Sequence, residues 1–132
     1  MTASGGRGAA PTERYLLIMR DEDAAAVERR DAPFAEMLER MGRYNAAMAD
    51  AGVLVSAQGL ASPEHGVVVD FAAEPPLVTD GPYGETKELF NGFWCIEVAS
   101  REDAIAWAAK APLGPGTKLE LRRVHGEADL RR

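Results

Sequence analysis

The run Tyr15-Leu16-Leu17-Ile18-Met19 is apolar without interruption, and its length suits a strand with both faces covered. A charged connector follows from Arg20 to Arg30, with a short helical turn expected at Ala24-Ala25-Ala26-Val27. Phe34, Met37, Leu38, Met41, Tyr44, Met48 and Ala51 then recur at helical spacing, predicting one apolar helix face. Asp31 is its expected N-cap, and Pro33 falls in the first turn, where a missing N–H is harmless. Glu36 with Arg40, and Glu39 with Arg43, form i,i+4 pairs on the outer face, and Gly52 is placed to end the helix. Gly42 inside the helix costs about 1 kcal/mol relative to alanine, which predicts close packing against a sheet at that point.

Val53 to Ala57 reads as a second strand, followed by a turn-rich connection from Gly59 to Gly66. Val67-Val68-Val69-Asp70-Phe71 is β-rich, Ala73 to Pro76 breaks it, and Leu77-Val78 is a short extended piece leading into the loop Thr79 to Lys87. Gly92 to Val98 is the strongest strand, with Phe93 and Cys95 on one face and Trp94, Ile96 and Val98 on the other. Ser100 caps a second helix whose first turn is acidic, and Ala104, Ile105, Trp107, Ala108 and Ala111 supply its packing face. Pro112, Gly114, Pro115 and Gly116 end it, and Thr117 to Val124 alternates as a half-buried strand.

This order, β-α-β-β-(short β)-α-β, predicts an α+β protein on the ferredoxin-like split βαβ plan. Two helices cover one face of a four-stranded sheet. Leu16/Ile18 against Leu17/Met19, and Phe93/Cys95 against Trp94/Ile96, put apolar groups on both faces. The uncovered face predicts a symmetric dimer joined sheet to sheet.

The length of 132 residues fits one domain at residues 14–125, with a disordered tail at 1–13 and a frayed one at 126–132. Fifteen basic residues against 21 acidic give a net charge of −6, which favours solubility and argues against nucleic acid as a partner. The single cysteine, Cys95, excludes an internal disulfide and is expected as a core thiol between Trp94 and Ile96. The start of the chain has no apolar leader, and no apolar run approaches the ~20 residues that span a bilayer, so a cytoplasmic location without membrane contact is expected.

The stretch Leu77-Val78-Thr79-Asp80-Gly81-Pro82-Tyr83-Gly84-Glu85-Thr86-Lys87-Glu88, with Asn91-Gly92-Phe93-Trp94-Cys95-Ile96-Glu97-Val98 and the helix Glu102-Asp103-Ala104-Ile105-Ala106-Trp107-Ala108, resembles the DGPF branch of the YCII-related proteins. The resemblance covers residues 14 to 124. It implies a dimeric α/β-barrel of the kind shared with muconolactone isomerase-like proteins. Members of this branch are often encoded near alternative sigma factors, which implies a regulatory role. Some YCII-type proteins are linked to hydrolytic or dehydrochlorinating chemistry through a His-Asp pair. Here the histidine position falls near Arg40 or Met41, and the Asp-Pro reads Ala111-Pro112, so the pair is absent.

The branch instead offers Asp80 as a catalytic candidate, with Tyr83, Glu85 and Lys87 as ligand contacts. Asp80 has two readings: a turn residue ahead of Gly81 and Pro82, or a general base or ligand anchor raised in pKa by burial beside Tyr83 and Phe90. Glu85 and Lys87 either orient a ligand or form a solvated ion pair. Tyr44 either packs in the core with its hydroxyl bonded or lines a pocket. His65 and His125 are isolated, so neither a metal nor a cofactor is expected. Two functions follow: a homodimer that binds a small ligand in an accessory or regulatory role, or a cofactor-free isomerase-, lyase- or hydrolase-like enzyme using Asp80 for proton transfer.

Overall fold

The computed structural model describes residues 11–21, 34–61, 66–80 and 89–130. The chain is a small α+β unit in which two helices accompany an antiparallel sheet. Its strands are β1 (Glu13–Asp21), β2 (Leu54–Gly59), β3 (Val67–Asp70), β4 (Leu77–Asp80), β5 (Leu89–Val98) and β6 (Thr117–Arg123); its helices are α1 (Phe34–Asp50) and α2 (Arg101–Ala109). Four strands form the main sheet in the order β2-β5-β1-β6, and β3 and β4 pair separately as a hairpin. β1 and β2, joined through α1, run parallel with β5 between them; β5 and β6, joined through α2, run parallel with β1 between them.

Register decides which residues meet. Tyr15 faces Ile96, Leu17 faces Trp94 and Leu121, and Met19 faces Leu119. These side chains turn to one side of the sheet, where Tyr44 and Met48 of α1 and Ala104 of α2 complete the core. Leu17, Met48 and Ile96 are its largest fully buried side chains; burying each is worth about 1.5–3 kcal/mol. The Tyr44 ring stands edge-on to Trp94 at 5.3 Å between centroids, and its hydroxyl donates to the Trp107 carbonyl at 2.7 Å, tying α1 to α2. Trp94 Nε1 donates to Asn45 Oδ1 at 2.7 Å, so both polar atoms at this junction are satisfied.

The helix ends follow the expected chemistry. Ser100 accepts a hydrogen bond from the Asp103 amide at 3.1 Å, capping α2. Gly52 has φ +75°; its N–H reaches Ala49 O, and Val53 N–H reaches Met48 O, the paired bonds of a Schellman ending. Arg43 meets Glu39 at 2.6 Å, and Arg40 meets Glu36. Asp31, Pro33 and the turn expected at Ala24 to Val27 lie outside the described residues.

Three expectations are corrected. Leu38 is 56% exposed and Ile105 43%, so the packing faces of both helices are narrower than their apolar spacing implied. Gly42 is not pressed against the sheet: a Cβ there would meet nothing within 4 Å. Cys95 pairs with Leu16 and lies half-buried on the side of the sheet away from the helices, outside the core. Beyond β6, Glu127–Leu130 form a 3-10 turn. Arg123 grips both Asp129 oxygens at 3.0 Å, and the Gly126 amide donates to the same carboxylate at 2.7 Å. That guanidinium, then the amide, holds the Asp129 carboxyl down at about 2.

Candidate functional site: the open face of the sheet

Alternation from the buried residues assigns the opposite face. Arg14, Leu16, Ile18 and Arg20 of β1 point there, with Phe93, Cys95 and Glu97 of β5, Ser56 and Gln58 of β2, and Lys118, Glu120 and Arg122 of β6. No described helix covers this side, because the core residues of both helices gather on the other.

A bulge enlarges the apolar floor. Met19 pairs with Gly92 but Arg20 pairs with Phe90, which makes Asn91 an extra residue in β5. Phe90 and Phe93, three apart, therefore share the open face, their rings edge-to-face with centroids 6.4 Å apart. Gly92 permits the tight passage beside them: a Cβ there would stand 2.8 Å from the Gln58 carbonyl oxygen. Leu16, Ile18, Phe90, Phe93 and Cys95 together make a continuous apolar surface across the two central strands.

Its rim is charged. Arg20 meets Glu120 at 2.9 Å, and Arg122 reaches the same carboxylate at 3.6 Å. At the other end of the strands, Arg14 meets Glu97 at 3.2 Å and the Thr12 hydroxyl donates to Glu97 as well. The Thr12 hydroxyl, with the Arg14 guanidinium, holds the Glu97 carboxyl below its ordinary range. Both rim carboxylates are thus held by arginines.

The expected site residues fall in three places. Tyr44 is turned into the core on the helix side, where burial pushes its hydroxyl up to about 12. Asp80 ends β4 opposite Val67 and faces solvent. Buried Tyr44 and exposed Asp80 share no surface. Tyr83, Glu85, Lys87 and His65 lie outside the described residues. His125 is exposed, 3.9 Å from Asp129. Among the described residues, no group of three or more His, Cys, Asp or Glu is arranged to hold a metal, and no helix is long and apolar enough to cross a membrane.

Sequence alternation found Leu16, Ile18, Phe93 and Cys95, but the strand expected from Gly92 to Val98 began too late to include Phe90. The Asn91-Gly92 pair, a poor strand sequence inside a strong strand, was the available signal for a bulge. No curated protein matches the chain. The family model of the YCII-related domain matches residues 14–125, the span that holds both helices and all but the first residue of the main sheet. The chain belongs to the YCII-related family.

Proposed function

We propose that this protein is a DGPF-type member of its family that works as a cytoplasmic homodimer. Two ferredoxin-like protomers join their open faces as a dimeric α/β-barrel and hold a small ligand, in an accessory or regulatory role. The observation that carries this reading is the open face itself, with Leu16, Ile18, Phe90, Phe93 and Cys95 side by side and no helix laid over them among the described residues. Apolar surface of this extent is favourable to withdraw from water, at roughly 25 cal/mol per Å². The strand order and the split pairing of β1-α1-β2 and β5-α2-β6 agree with a ferredoxin-like protomer. The single cysteine agrees with a reducing compartment.

Asp80, with Tyr83, Glu85 and Lys87 beyond it, is the proposed ligand contact. The catalytic reading of Asp80 has less behind it. The carboxylate is exposed to solvent at the end of β4, and the His-Asp pair of other members is absent.

Light scattering tests the assembly: wild type is expected at twice the 14.2 kDa chain mass, and Ile18→Glu at the single mass. A monomeric wild type at micromolar concentration would sink the reading. Thermal-shift screening of metabolites on wild type and Asp80→Asn tests the ligand. A compound that stabilises only wild type, with equal unliganded melting temperatures, supports Asp80 as a contact.

A further inference from the structure

The hairpin β3–β4 leaves the main sheet between two strands that are already neighbours. The ladder of β2 and β5 closes at Gly59 and Gly92, with Leu60 N–H on Asn91 O, and the hairpin is inserted just beyond. Its cross-strand pairs are Val67/Asp80, Val68/Thr79, Val69/Val78 and Asp70/Leu77. One face therefore presents Val67, Val69 and Val78 with Asp80 at the end, and Phe71 follows in the turn beyond Asp70. Val67 is 60% exposed, Val69 44%, Val78 59% and Phe71 79%. A lone two-stranded hairpin is marginal in water, and an apolar face turned outward adds to that cost.

Charge separates this arm from the open face. Residues 67–80 carry Asp70, Glu74 and Asp80 and no cation. The described open face carries Arg14, Arg20, Lys118 and Arg122 against Glu97 and Glu120, a cationic excess in a chain of net charge −6. Lys118 and Arg20 pair with each other across β1 and β6, beside Phe90, at the end of the sheet from which the arm departs.

We propose that the β3–β4 arm docks on a second copy of this chain, laying Val67, Val69, Phe71 and Val78 against the open face beside Lys118 and Arg20 of that copy. Symmetry brings these parts together. A two-fold axis along the strands lays β2 of one copy over β6 of the other and keeps like ends together, so each arm emerges over the other copy's Lys118. The area is adequate. Each arm exposes roughly 400 Å² on its apolar face, and two arms with the two surfaces they meet reach about 1,600 Å², the size of a standard specific interface. The acidic arm on a cationic rim then fixes orientation.

This inference rests on the dimer of the preceding subsection, and one experiment separates them. Labelled (¹⁵N) and unlabelled full-length chains are mixed, allowed to exchange, treated with a zero-length carboxyl–amine coupling reagent and digested for mass spectrometry. The chain has three lysines, Lys87, Lys110 and Lys118, so the products are few. Mixed-isotope peptides joining Lys118 to Asp80, which shares the docked face with Val67, are expected. In parallel, Lys118→Glu is expected to weaken the dimer at least tenfold, and Lys118→Glu combined with Asp80→Lys to recover most of that loss. A wild-type dimer whose Lys118 couples only within its own chain, or whose affinity ignores both substitutions, overturns the arm and leaves the dimer standing. A monomeric wild type overturns both.

Discussion

Phe90 and Phe93 sit three apart in one strand, yet their rings meet edge-to-face on the same side of the sheet. Strict alternation would put them on opposite sides. The extra residue Asn91 shifts the register against β1 and brings both rings to the open face. In the proposed dimer these rings are buried. Phe93→Asp is expected to yield a folded chain of 14.2 kDa that no longer associates, read by light scattering with circular dichroism as the check on folding. A Phe93→Asp protein that stays dimeric would remove the open face from the interface.

Gly92 is a second consequence of that crowded crossing. A Cβ at this position stands 2.8 Å from the Gln58 carbonyl oxygen, and backbone cannot swing aside as a side chain does. Gly92→Ala is expected to lose about 1–3 kcal/mol as β2 is pushed off β5. Chemical denaturation measures it, and faster amide exchange in β2 than in β6 would localise it.

Tyr44 gives a prediction in pH. Its hydroxyl is pushed from the ordinary 10.0 up to about 12 by burial. The unfolded chain therefore loses this proton first, and the folded state is penalised as pH rises. The stabilisation is complete below pH 10 and is lost as pH climbs to about 12. Tyr44→Phe should flatten stability across that window. At neutral pH it should cost only about 1 kcal/mol, because the Trp107 carbonyl keeps the Lys110 N–H at 3.1 Å.

Gly42 sits on the open side of α1, where an added methyl touches nothing within 4 Å. Gly42→Ala is expected to stabilise the chain by about 1 kcal/mol through lower backbone entropy of the unfolded state. A higher denaturation midpoint with unchanged dimer mass is the expected result. A lower midpoint would place this helix surface against a partner.

Much of the fold was legible because burial follows simple periods. Tyr15 to Met19 and Gly92 to Val98 alternate around Leu17 and Ile96, and the structure keeps that alternation. Ser100 and Gly52 marked helix ends because their roles depend on local chemistry. Leu38 and Ile105 misled because helical spacing states which residues share a face, while the neighbouring element decides how much of that face is covered. Cys95 misled for a related reason: apolar neighbours in sequence lie on the opposite side of a strand, so Trp94 and Ile96 say little about where Cys95 points. The site was least legible, since Phe90 depends on a register shift that no period records, and the charged tail hid the Arg123–Asp129 clasp.

The arm occupies a detour in the polypeptide. β2 and β5 lie next to each other, so a tight turn would have connected them, and everything between Leu60 and Asn91 is extra chain. Closing a connection of that length instead of a short turn costs only about 2 kcal/mol, because loop entropy grows with the logarithm of length. The sheet can therefore gain, lose or exchange this segment without relearning how to fold. The four-stranded frame thus leaves the length and sequence of this insertion free to vary at little cost in loop entropy.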